Sequence, residues 1–230
     1  MTKYYIIILL RIFLIIVAVF VQPQGFFYSL LLFAVWAMLM IGMLFRLIPN
    51  ECVAIGARKH YISLNSLHPT GTDFELNHYT DKSKENKVTS NLHKGAMAIA
   101  VFWLTLNVVM FLLFQYLDML TFNNAMILAL TYSIFDSLFV IFFCPFQKFF
   151  MHNRCCTTCR IYNWDYIMIC TPLLLFPSTF SVSLLATAFA VLLVWEIHIK
   201  KFPHRFMQET NELLKCKHCK VKPCRHQSNI

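Results

Sequence analysis

Charge is scarce in this sequence. Only 13% of its 230 residues are Asp, Glu, Lys or Arg, against roughly 25% in water-soluble domains, which argues against a domain that folds alone in water. Glycine is scarcer still, with 5 residues against 23 phenylalanines. A chain so dominated by large apolar side chains would expose too much hydrocarbon as a soluble monomer.

Motifs of soluble catalysis are also missing. No G-x-x-x-x-G-K-[ST], G-x-G-x-x-G, H-E-x-x-H or G-x-S-x-G occurs, which removes the usual sequence basis for nucleotide binding, zinc proteolysis or serine hydrolysis. None of the 9 histidines lies deep in an apolar stretch, and His198 is at a helix end. A bis-histidine membrane haem is therefore disfavoured. No internal repeat points to an inverted-repeat transporter. Whether the chain is an enzyme stays open at this level.

Apolar residues make up 58% of the chain, and mean hydropathy is +0.59. They gather into long runs: Tyr4–Val21, Phe26–Phe45, Gly95–Leu117, Ala125–Phe143 and Tyr166–Ile199. A bilayer core takes about 20 helical residues, which suits the first four. The 34 residues of the last run are too many for one span. Pro177-Ser178-Thr179 reads as a turn within it, giving helices over about 166–177 and 180–199. The alternative is one long broken helix and five spans. The first run lacks a small-x-small site and is followed at once by a second, so it is expected to be a span and not a cleavable signal peptide.

Lys and Arg choose between these topologies. With six spans and the N-terminus inside, the outer loops are 22–25, 118–124 and about 178–181, and none holds a Lys or Arg. The inner segments hold Lys3, seven basic residues in 46–94, three in 144–163 and eight in 200–230. That bias is what the positive-inside rule demands, and five spans would send the basic tail outside. The fold expected is all-α, a multi-pass cell-membrane protein with both termini cytoplasmic. Its parts are spans one and two (1–45), a polar loop (46–94), spans three and four (95–143), a cysteine-bearing loop (144–165), spans five and six (166–199) and a basic tail (200–230). Thr80–Asn91, dense in Lys, Glu, Ser and Asn, reads as a mobile stretch. A short interfacial helix is expected over about 203–215. Trp164 and Tyr166 suit an aromatic belt, and Asp165 a helix N-cap. The net charge of +9 fits anionic lipid headgroups at the inner face better than nucleic acid.

Nine cysteines are present, and eight fall in or at the edge of these inner segments. The cytosol keeps thiols reduced, so clustered cysteines there point to metal or redox chemistry more than to disulfides. Cys156 and Cys159 form one C-x2-C pair, and Cys216 and Cys219 another. Two such pairs can supply a tetrahedral thiolate site. Cys155, Cys224, Cys144 and His218 are further candidate ligands. Arg154, Arg160, Lys215, Lys217 and Lys220 flank the sulfurs, and nearby positive charge favours the thiolate. Zinc suits the pattern best, an iron–sulfur cluster is the alternative, and no bound metal is the third possibility.

Two charges lie well inside the spans. Arg11 is seven residues from Tyr4 and Asp136 seven from Phe143, which puts both about 10 Å below the inner surface. Intramembrane charges are usually paired or functional, so an Arg11–Asp136 pair between spans one and four is expected, with Asn107, Thr131, Ser133 and Ser137 as polar neighbours. Glu196 reads as a boundary residue.

These observations point to a small membrane protein whose cytoplasmic thiolate metal site serves binding, scaffolding or sensing. The alternatives are an iron–sulfur or thiol-dependent membrane oxidoreductase component, and a small transporter using Asp136.

Overall fold

The computed structural model describes residues 2–21, 23–47, 82–142, 144–151 and 159–201. It is helical throughout, with no strand among these residues. The helices are α1 (Thr2–Phe20), α2 (Phe26–Leu47), α3 (Lys82–Tyr116), α4 (Phe122–Ile141), α5 (Asp165–Cys170) and α6 (Thr179–Lys201). A π-helical segment, Phe146–Met151, follows α4, and α5 runs on into a 3-10 turn, Thr171–Leu175. Four helices are long and apolar enough to cross a membrane: Phe26–Leu47, Leu92–Tyr116, Phe122–Ile141 and Thr179–Lys201. Tyr5–Phe20 and Asp165–Leu175 are shorter apolar helices.

The packed faces are narrow stripes. On α2, Leu31, Val35, Leu39 and Met43 are buried at a spacing of four, one face of a helix. On α6 the buried stripe is Ser181, Leu184, Ala188, Val191, Trp195 and Ile199, and these two helices pack together. The α1–α4 contact is built differently. Ala125, Ala129, Ser133 and Ser137 put small residues on one face of α4, against which Ala18 of α1 is fully buried. Small residues let backbones approach closely, which is how helices gain packing energy in lipid. The opposite faces carry Ile6, Leu9, Phe13, Phe33, Val101, Leu104 and Val108, all exposed. Core and surface are equally apolar, a pattern that needs hydrocarbon as the surrounding solvent.

Three turns share one end of the bundle. Asn123 reaches from the start of α4 to the Ala18 carbonyl at 3.2 Å, beside the α1–α2 turn. Phe122 packs edge-on against Phe176 and Phe180. The turns satisfy their own polar groups, as a buried or lipid-facing helix end must. After α3, the Met119 N–H donates to Phe114 O and the Asp118 N–H to Gln115 O, with Asp118 at φ 53°. This is a Schellman closure in which Asp takes the left-handed position. Between α5 and α6, Ser178 and Ser181 bond each other's backbone and side chain, and Ser181 Oγ donates to the Phe176 carbonyl.

The chain reverses at this last turn, because Phe176 lies by Ser181 while Arg160 lies by Trp195 and Glu196. Residues 166–199 are therefore two antiparallel helices and not one long broken one. Three expectations are corrected. The stretch Thr80–Asn91 is helical from Lys82 onward; no Pro or Gly interrupts it, and Lys and Glu are good helix formers. Asp165 is the first helical residue and not the cap, and Trp164 before it makes no side-chain capping bond. Tyr166 is 8% exposed and packed in the core, so it is no part of a lipid-facing aromatic belt. Around Asp136, Ser133 and Ser137 are buried in α4, Thr131 bonds Ile127 O, and Asn107 bonds Trp103 O and Tyr132 OH. The helix expected over 203–215 lies outside the described residues.

Candidate functional site at the basic end of the bundle

At the end opposite the three turns, polar residues from five helices and the turn before α5 converge. Two guanidiniums anchor them. Arg46, in the last turn of α2, pairs with Asp165 at 2.5 Å and donates to Asn163 Oδ1 at 2.7 Å and Tyr162 O at 3.2 Å. Its guanidinium also lies 5.3 Å and 5.1 Å from the ring centres of Tyr162 and Tyr166. A planar cation with several donors and two aromatic faces can satisfy itself this way without water.

Arg160, 7% exposed, grips Glu196 of α6 through both terminal nitrogens, with one contact at 2.5 Å. The Trp164 indole donates to the same carboxylate at 2.7 Å, and the Trp195 indole donates to the Arg160 carbonyl at 2.8 Å. Charge-assisted bidentate pairs are among the strong polar contacts. Together they tie the turn 159–164 to the last turns of α6.

Arg11 is 8% exposed in α1. It donates through one nitrogen to Ser133 O and Ser137 Oγ, on either side of Asp136 in α4. It makes no direct ion pair with Asp136 among the described residues; the charge pairs at this end are Arg46–Asp165 and Arg160–Glu196. Asp136 instead stands in α4 between the two serines that Arg11 holds. Arg11 Nε and Asp165 Oδ1 are buried with no hydrogen-bond partner.

Of the candidate metal ligands, the described residues include Cys144 and Cys159. Cys159 is 6% exposed and packs with Ala96, Ile99, Met151 and Ile161. Cys144 is half-buried, and burial pushes its thiol above the usual range, partly offset by backbone N–H groups of Gln147 and Phe146. A thiol held protonated is the weaker ligand. Cys155, Cys156, Cys216, Cys219, Cys224 and His218 lie outside the described residues. Among the described residues no three His, Cys, Asp or Glu side chains gather as a metal group.

Sequence reasoning singled out Arg11 and Asp136, passed over Arg46, and gave Arg160, Asp165 and Glu196 other roles, as a neighbour of the cysteines, a helix cap and a boundary residue. A signal existed. Acidic residues number only 11, and any acid at a span boundary needs a basic partner there. The chain matches no protein-family model, and no curated protein or solved structure matches it.

Proposed function

We propose that this chain is a multi-pass protein of the cell membrane, with six spans and both termini on the cytoplasmic side. On its inner face Cys156, Cys159, Cys216 and Cys219 hold a zinc ion, with Cys155, Cys224, Cys144 and His218 as further candidate ligands. The role is binding, scaffolding or sensing at that face, next to anionic lipid headgroups.

One observation supports this reading. The Arg160–Glu196 clamp fixes the turn that begins at Cys159 against α6, the helix whose end at Lys201 leads into the tail bearing Cys216 and Cys219. Fourteen residues lie between Lys201 and Cys216, a chain that spans up to about 50 Å when extended. Reach is therefore no obstacle to the two C-x2-C pairs sharing one ion, and the bound ion would staple the tail to the bundle.

Elemental analysis of anaerobically purified protein tests it. Stoichiometric zinc in a colourless wild type, lost in Cys216→Ser/Cys219→Ser, is the expected result. Iron and colour would favour the iron–sulfur oxidoreductase reading instead. A metal-free wild type would end both.

A second reading rests on the partnerless Arg11 Nε and Asp165 Oδ1 beside Asp136. A buried donor and acceptor without partners are costly and leave room for a proton or small ion on a path through Asp136. Proton flux into liposomes loaded with a pH-sensitive dye, abolished in a folded Asp136→Asn variant, would support this transporter reading. Equal flux in both proteins would discard it.

A further inference from the structure

Among the described residues, the third helix packs on its neighbours at two levels below its C-terminal turn. Near the basic end, Gly95 packs against Phe150 O and Met151 of the π-helical segment. At mid-height, the Trp103 indole donates to Thr171 Oγ1 at 3.3 Å and Tyr132 OH donates to Asn107 Oδ1 at 3.4 Å. Above that level, among the described residues, the outer part of α3 faces the 3-10 turn across a gap. Within the chain between α4 and α6, the segment that returns beside α6 is Asp165–Leu175, a helix of six residues and a 3-10 turn of five. That is about 19 Å of rise, well short of a bilayer core of about 30 Å.

The result is a cavity of about 200 Å³ between α3, α4 and the 3-10 turn. Leu104, Val108 and Phe111 line one wall, and Leu128 and Leu174 the other. Its floor is Asn107 and Thr171, both bonded within the protein. No charged residue lines it, and the cavity is larger than the ~150 Å³ apolar void that takes up benzene.

We propose that this cavity is a binding site for one hydrocarbon chain of a membrane lipid. The inference rests on the reading that the chain spans a bilayer. The occupant follows from the walls. A polar ligand would meet almost wholly apolar walls, with the Asn107 and Thr171 side chains already bonded within the protein, and a second helix, about 10 Å across, does not fit such a volume. A flexible alkyl chain does, and lipid supplies it from the side. The turns at this end, 21–25, 117–121 and 176–178, contain no Lys or Arg, so the lipid is held by its tail and no basic side chain there pairs with its phosphate. The bound chain replaces the missing upper half of a fifth helix and braces the outer part of α3.

Native mass spectrometry of the full chain in detergent tests this, with added zwitterionic or anionic phospholipid of equal chain length, or soluble glycerophosphocholine. The expected result is one lipid retained per chain, similar affinity for both phospholipids, and no binding of glycerophosphocholine. Val108→Trp fills the cavity from an exposed position, 57% accessible, and should weaken retention at least tenfold. Val101→Trp, on a residue 61% exposed and outside the cavity lining, should leave retention unchanged. If Val108→Trp misfolds, Leu174→Trp fills the same space from the opposite wall. Retention equal in wild type and cavity-filling variants, or strong preference for the anionic headgroup, would overturn the proposal. Resistance of the membrane-bound protein to alkaline carbonate is measured separately: a protein that resists extraction but retains no lipid sinks this inference while leaving the spanning reading in place.

Discussion

Arg46 closes α2 and Asp165 opens α5, and their side chains meet 2.5 Å apart. Neither is expendable alone, because each is almost wholly removed from solvent, with side chains 16% and 9% exposed. Breaking a buried pair from one side leaves an uncompensated charge and costs about 3–5 kcal/mol. Arg46→Met and Asp165→Leu should therefore each lower the thermal midpoint in detergent strongly. The double variant, which removes both charges, should lie above either single one. A double variant at or below the worse single variant would show that the pair is not coupled.

The Arg11–Asp136 relationship makes a related but weaker prediction. Arg11 is fastened to Ser133 and Ser137, on either side of Asp136, and makes no direct ion pair with it among the described residues. Arg11→Met should destabilise more than Asp136→Asn, because it also orphans a serine hydroxyl and frees a helix contact. A double-mutant cycle read by thermal unfolding should show coupling of about 0.5–3 kcal/mol. Zero coupling would remove any functional pairing of these two residues.

Two glycines respond differently to the same substitution. A methyl group at Gly42 would meet Tyr166 OH at 2.0 Å, and one at Gly95 would meet the Phe150 carbonyl at 2.8 Å. Both Gly→Ala changes should destabilise, by about 1–3 kcal/mol as overpacking does. Tyr166→Phe should recover part of the loss at Gly42, since the closest atom is the hydroxyl. Met151→Ala should recover little at Gly95, where backbone stands in the way. The melting temperatures of the four variants check both statements.

Releasing the Arg160–Glu196 clamp should expose Cys159. In Glu196→Gln the bidentate acceptor is lost and the Trp164 indole keeps at most one bond. Maleimide labelling of Cys159, 6% exposed in the intact protein, should accelerate several-fold in a background where the other cysteines are serine. An unchanged rate would mean that the packing of Ile99 and Met151 holds the turn without the clamp.

The helices were legible in the sequence because their signal is local. Apolar runs of about twenty residues predict α2 and α4 to within three or four residues at their ends, and Pro177-Ser178-Thr179 marks the reversal between α5 and α6. The charged beginning of α3 was not legible in this way. Its composition resembles a solvated linker, and only the lack of Gly or Pro spoke for a helix. The candidate site was half legible. Arg11 and Asp136 stand out because an ion inside an apolar run is conspicuous, whereas Arg46, Arg160, Asp165 and Glu196 sit at the edges of runs, where charge is ordinary.

Sequence alone therefore determines that this is a helical protein with several segments apolar enough to cross a membrane, since length and hydropathy are properties of each segment by itself. Tertiary structure decides which charges meet. Depth along a helix follows from residue number, but the direction in which a side chain points around the bundle depends on which helices are neighbours. That is why Arg46 faces Asp165, Arg160 faces Glu196, and Arg11 grips the serines beside Asp136 without touching its carboxylate.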